Sequence, residues 1–280
     1  MAKHEDVRLD VRKMYKLFIG GAFVRSESGR SDPLWDGKAF GANIARASRK
    51  DVRDAVVAAR GAQGKWSKTA PALRGLILYR LAEMMEARRE EFPKDEIDAA
   101  IDRIVWYAGW CDKYSALLSS RNPVAGPHFN FSTVEATGVV GVMAPDKLGL
   151  LGLVSVIVPA LVAGNAVVAV ASETDPRTAI IFAEALATSD LPAGVVNILT
   201  GQRAELGPIL AKHMDVNALG FENDDAELTV ALQRSAADNV KRVRVWPKRS
   251  ADEWSAPSAQ SLDDIAQYCE VKTIWHPAGV

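Results

Sequence analysis

Residues 148–172 read LGLLGLVSVIVPALVAGNAVVAVAS, a run with no charge in it. Its length alone would span a bilayer. Gly164-Asn165, however, is a helix stop and turn in the middle of it. Leu150 to Ala163 is helix-like in spite of Pro159. Ala166 to Val170 is a short β-branched run of the kind that forms a strand buried on both faces. A helix packed on a buried parallel strand accounts for the run without lipid, so no membrane partner is expected.

Outward from this stretch the same alternation continues. Short apolar runs at Gly138–Ala144, Ala166–Val170, Val195–Leu199, Ala218–Phe221 and Val240–Trp246 predict strands. Helical patterns lie between them near 150–163, 176–188, 204–213 and 225–237, and Pro176 after Thr174-Asp175 is a helix start. Short strands separated by helices imply right-handed crossovers and a parallel sheet. The fold class is therefore α/β, a doubly wound, mostly parallel Rossmann-like sheet with flanking helices.

Before this region, LFIGGAFV at 17–24 reads as a hairpin around Gly20-Gly21. Residues 51–60 form a helix opened by Ser48 or Asp51. Pro71 to Glu91 is an amphipathic helix with Leu73, Leu76, Ile77, Leu81, Met84 and Met85 on one face. Asp95 to Leu118 is a second helix, with Ile97, Ile101, Ile104, Ala108, Cys111, Ser115 and Leu118 on its inner stripe. After Trp246, residues 247–261 (PKRSADEWSAPSAQS) are polar and rich in Ser, Ala and Pro, which reads as a linker. A short helix and an alternating strand, Cys269–Trp275, follow. That strand has Cys269, Val271, Thr273 and Trp275 on one face and Glu270, Lys272 and Ile274 on the other. As the strand after a linker it is expected to have no sheet of its own.

Composition narrows the function classes. Thirty-four basic against 35 acidic residues leave a net charge of −1, which argues against a nucleic-acid partner. Two cysteines, Cys111 and Cys269, make neither a disulfide framework nor a thiolate zinc site, and fit a reducing compartment. The N-terminal stretch MAKHEDVRLDVRK is charged without an apolar core, unlike a secretory signal, so the expected location is cytoplasmic. His4, His128, His213 and His276 show no metal-ligand spacing. Asp98 and Asp102 lie one turn apart with Arg103 beside them, as on a solvated helix face. Tryptophans 35, 66, 106, 110, 246, 254 and 275 read as packing residues or interface anchors.

Taken together, several stretches resemble the NAD(P)-dependent aldehyde dehydrogenase superfamily. KLFIGGAFV resembles that family's opening hairpin, and RGLILYRLAEMMEARREE and EIDAAIDRIVWYAGWCDK its early helices. ATGVVGVMAP, VPALVAGNAVV with SETDP, and LPAGVVNILTG resemble its nucleotide domain, and YCEVKTIWHP its tail strand at a subunit interface. The resemblance implies that 1–125 with 138–246 is a nucleotide-binding-like domain. It implies that 126–137 with 268–280 is an oligomerisation element. Residues 247–267 then stand as a linker where the family has its catalytic domain.

The resemblance also locates what is replaced. The family's nucleophilic cysteine lies in the missing domain, so no catalytic residue is assigned; Cys111 reads as a packed thiol, and Cys269 beside Glu270 lacks an electropositive setting. The oxyanion asparagine is matched by Lys147, in Ala144-Pro145-Asp146-Lys147. The general-base glutamate is matched by Trp246, followed by Pro247-Lys248. The ribose-contacting lysine is matched by Val170, leaving Ser172 and Glu173 as vestigial cofactor-binding residues. The glycine-serine turn at the pyrophosphate helix is matched by Phe221-Glu222-Asn223-Asp224-Asp225. These acids would cap the helix themselves and repel phosphate. No cofactor is expected to bind tightly, NAD(P) being the one the resemblance would supply. The implied function is a catalytically inactive homologue acting as a structural or regulatory subunit. Its partner would be a full-length aldehyde dehydrogenase, or a second copy of the chain. The alternative is an NAD(P)-dependent oxidoreductase component active only inside a complex.

Overall fold

The computed structural model describes residues 11–223 and 225–278; His4 and Asp224 lie outside them. In chain order the elements begin with β1 (Met14–Tyr15), β2 (Leu17–Ile19), β3 (Ala22–Val24), β4 (Ser31–Asp36) and β5 (Ala39–Ala45). Helices α1 (Arg49–Ser67), α2 (Pro71–Ala87), α3 (Ile97–Ala108) and α4 (Tyr114–Leu118) follow, then β6 (Ser120–Asn122) and β7 (His128–Ala136). The alternating region is β8 (Val139–Met143), α5 (Gly149–Val162), β9 (Ala166–Val170), α6 (Pro176–Leu186), β10 (Val196–Leu199), α7 (Arg203–Lys212), β11 (Ala218–Asn223), α8 (Ala226–Ala237) and β12 (Arg242–Pro247). Then come α9 (Ala251–Ser255), α10 (Leu262–Ala266) and β13 (Cys269–Pro277).

The five alternating strands are parallel in the order β12-β11-β8-β9-β10, and the β2-β3 hairpin joins β10 antiparallel. Strand order reverses between β8 and β11, the place where doubly wound sheets open a crevice at their carboxyl ends. Residues alternate across the sheet. Val140, Val142, Val167 and Ala169 pack in the core that holds α5 and α6. Val139, Met143, Val168 and Val170 pack in the core that holds α1 and α7. Every residue of α5 is buried, because the sheet lies beneath it and other helices cover it. That is the physical reason for the chargeless run. Among the described residues no helix is long and apolar enough to cross a membrane. Asn165 explains the turn: its amide donates to Ala160 O (3.0 Å) and Tyr268 O (2.9 Å), and its Oδ1 accepts from Gly138 N (2.7 Å).

Several expectations change. The helix expected over Asp95–Leu118 is two helices, α3 and α4, with a break at Gly109–Lys113. The inner face of α2 is Leu78, Leu81, Ala82 and Met85, while Leu73 and Leu76 are exposed. The cause is Arg74, which is buried because its guanidinium donates to Ser67 O (3.2 Å) and Thr69 O (2.8 Å), the unpaired carbonyls at the end of α1. Arg103 is not on a solvated face. It is buried, with Nη1 on Ser155 Oγ (2.5 Å) and Nη2 on Ala256 O (3.3 Å), while Asp98 pairs with Arg89 at the surface.

Residues 247–267 are not an extended polar tether. They form α9, a 3-10 turn and α10, a strap packed on the sheet and on α5. Trp254 and Ile265 are fully buried beneath the strap, and Ser250 and Ser261 cap its two helices.

The tail strand does have a sheet. β13 pairs antiparallel with β7 from Cys269↔Ala136 to Pro277↔His128, and β6 completes three strands. Thr137 N donates to Tyr268 O and Ala278 N to Pro127 O on this register, so bonded pairs fall on the even-numbered residues of β13. The N–H and C=O of Val271, Thr273 and Trp275 therefore face the open edge.

Candidate functional site

The crevice at the carboxyl ends of the parallel strands is lined by four short turns. Each belongs to a strand buried deeply enough that only its last residues reach the surface. After β8 comes Asp146. Its Oδ1 accepts from Ser172 Oγ (3.0 Å) and Glu173 N (2.8 Å), both after β9. Its Oδ2 pairs with Arg203 Nη2 at 3.1 Å, and the same guanidinium donates to Ala144 O (3.0 Å). Glu173 Oε1 in turn accepts from Arg203 N (2.6 Å) at the start of α7. Ser172 and Glu173, expected as vestigial cofactor contacts, are brought together here, and they bond to protein groups. Lys147 is exposed.

The turn after β11 is occupied in the same way. Asp225 caps α8 by accepting from Leu228 N (3.0 Å), and Asn223 Oδ1 accepts from Thr229 Oγ1 (3.0 Å). Glu222 does not cap the helix, contrary to expectation. It is buried and turned to the strap, where Oε1 accepts from Arg249 N (2.7 Å) and Trp254 Nε1 (3.4 Å). Trp246, which the resemblance matched to a general base, is buried against Gly220; a Cβ there would lie 2.9 Å from the indole and 2.4 Å from the Tyr268 hydroxyl. Val170 is buried at the end of β9.

A dinucleotide needs free N–H groups at the α8 terminus and a cation or hydroxyl acceptor after β9. Here the Asp225 carboxylate takes up Leu228 N in the first turn of α8, and Val170 offers no polar side-chain atom. Ser172 Oγ and Glu173 Oε1 are held by Asp146 and by Arg203 N, and the Arg203 guanidinium is committed to Asp146. The residues present do not fit NAD(P).

The two thiols are separate from this crevice and from each other's elements. Burial pushes each up to about 12: Cys111, near Tyr107 O, and Cys269, whose Sγ lies 3.4 Å from Ile265 O. A folded value above the ordinary thiol value of 9.0 means the contribution is whole below pH 9. It is lost as pH climbs toward 12. Neither thiol should react with a disulfide reagent at pH 8 until the chain unfolds, and melting temperature should fall on alkaline titration above pH 9. Rapid native labelling of either cysteine would contradict this burial.

Two polar residues had no local signal. Glu96 is buried and accepts from Leu150 N and Leu151 N (2.8 Å each), capping α5 from another helix; burial raises its carboxyl and those two bonds pull it back. Arg203 followed an ordinary helix start. Both have partners far away in sequence. Among the described residues no group of three metal-type side chains is present, and His128 stacks edge-on to Trp275.

Comparison with known proteins agrees with this architecture. The model of the aldehyde dehydrogenase family matches residues 31–245. Cytosolic 10-formyltetrahydrofolate dehydrogenase of Xenopus laevis is 33% identical over 258 residues, covering 84% of this chain and 28% of that protein. The putative aldehyde dehydrogenase DhaS of Bacillus subtilis is 33% identical over 248 residues, covering 81% and 49%. The NAD+ complex of aldehyde dehydrogenase from Bacillus cereus superposes with a TM-score of 0.77 at 27% identity, covering 84% of this chain and 51% of that one. The chain thus spans about half or less of the length of these relatives. With a family model covering most of its length and a fold that superposes on solved aldehyde dehydrogenases, the chain belongs to the aldehyde dehydrogenase family.

Proposed function

We propose that this chain is a non-catalytic member of its family that works as a structural or regulatory subunit. Its partner is a full-length aldehyde dehydrogenase, with a second copy of the chain as the fallback. The observation that supports the reading is the set of turns at the carboxyl ends of the strands, in which Asp146, Ser172, Glu173 and Arg203 bond to protein groups; the resemblance puts the base position at Trp246, which is buried. An aldehyde oxidation needs a thiolate, oxyanion donors and a base around one carbon. The two cysteines offered are buried thiols on other elements. Two unpaired cysteines suit the cytoplasm, the compartment we assign.

The purified chain, given NAD or NADP and a panel of aldehydes, should show no turnover. NADH mixed with it should keep the emission of free NADH, since Asp225 takes up the first turn of α8 and Arg203 and Glu173 are bonded to protein groups. Turnover that disappears in Cys111→Ser or Cys269→Ser would overturn the reading. So would a blue-shifted, enhanced NADH emission.

A further inference from the structure

On the α1 side of the sheet, away from the crevice, a cleft of about 980 Å³ separates the first turn of α1 from the last turn of α7. That volume is within the range of small-molecule sites. Arg49, Lys50 and Arg53 stand on one wall and Lys212 on the other. The cleft has one carboxylate, Glu27, and Lys50 uses it at 3.3 Å. Arg53 is paired with Asp54 (2.7 Å). Arg49 and Lys212 have no acidic partner among the described residues, and they approach from different helices. In a chain of net charge −1 this is a local concentration of positive charge.

Three further features point the same way. Ser48 and Asp51 close a capping box, yet the N–H groups of Arg49 and Lys50 stay open at the positive end of α1. His213 lines the cleft, with Nδ1 accepting from Asp215 N (3.2 Å), so Nε2 carries the proton. Burial lowers its basicity, against an opposing pull from Asp215. Pro208 and Ile209 supply an apolar floor between the charged walls.

We propose that this cleft binds a small organic phosphate with two anionic groups. One group would sit on Arg49 and the α1 terminus and the other on Lys212, with the carbon skeleton over Pro208 and Ile209. The proposal does not depend on the catalytic status of the chain.

The test is calorimetric titration of the whole chain with inorganic pyrophosphate and with fructose 1,6-bisphosphate. Both should bind, more weakly as salt is raised. The double variant Arg49→Ala/Lys212→Ala should lose on the order of tenfold or more in affinity, since it removes two charge-assisted contacts. Both side chains are exposed, so its circular dichroism should match the parent. Lys38→Ala, an exposed cation on a distant turn, should bind as the parent does. No heat with either probe, undiminished binding by the double variant, or an equal loss in Lys38→Ala would each overturn the proposal.

Discussion

Trp254→Ala should cost about 3–5 kcal/mol of stability, the usual loss for a buried aromatic. That corresponds to a fall in melting temperature on the order of 10 °C for a chain of this size. Trp254 is the residue by which a Ser- and Pro-rich segment becomes part of the core. It is fully buried, its Nε1 reaches Glu222, and the Arg249 guanidinium lies 4.7 Å over its ring. Truncation leaves a cavity and reduces Glu222 to a single donor, Arg249 N. Trp254→Phe keeps one aromatic ring but loses the N–H and part of the indole's volume, so it should cost about 1–3 kcal/mol, less than truncation to alanine. Limited proteolysis should cut Trp254→Ala within residues 248–268 well below its melting point. A variant melting within 1 kcal/mol of the parent would mean the strap is held from elsewhere.

Thr273→Pro should abolish co-purification with a full-length aldehyde dehydrogenase while leaving the chain folded. Proline removes one N–H, and on β13 the position decides which ladder loses it. Thr273 is odd-numbered, so its N–H faces the open edge and not β7. An incoming strand would need that donor, since strand addition draws its affinity from main-chain bonds. Within the chain the change removes only the Thr273 hydroxyl contact with Ser132, about 1 kcal/mol, and proline is tolerated on edges. Lys272→Pro is the contrast. Its N–H belongs to the β7 ladder, so it should disrupt the three-stranded sheet itself. Native mass measurement after co-expression checks both. Retention of the partner by Thr273→Pro at unchanged stoichiometry would remove β13 from the assembly.

The parallel sheet was legible because β8, β9, β10 and most of β11 are buried and so are written as largely apolar runs, as in AVVAV at 166–170; the edge strand β12 alternates charged and apolar residues instead. The Gly20-Gly21 hairpin was legible because both residues take positive φ, 62° and 81°. The β4-β5 hairpin was missed although Asp36-Gly37, with Gly37 at φ 65°, is a turn signal between two strands. β4, SDPLWD, is largely exposed and reads as polar, and β5, AFGANIA, is interrupted by Gly41 and Asn43. The strap was misread for a related reason. Its composition is that of a loop, and its order comes from Trp254 together with the Ser250–Glu253 and Ser261–Asp264 caps. In the crevice, local reading found which residues stand at which turn. It could not find that Glu222 turns to Arg249, or that Arg203 reaches Asp146, because such pairings exist only once the strands are side by side.

The strap also has a consequence for how the protein is made. Arg103 and Glu222 leave the ribosome before Arg249, Trp254 and Ala256, the residues that later bond to them. Until then the Glu222 carboxylate, and the part of the Arg103 guanidinium that Ser155 does not take up, sit at the site of a future core with only water to satisfy them. The sheet cannot dry out around them on the nascent chain. Final compaction waits for residue 268, whose carbonyl accepts from Asn165 and whose ring lies under Gly220. Nascent chains stalled before that point should be loose and chaperone-bound, even though all five parallel strands are already synthesised.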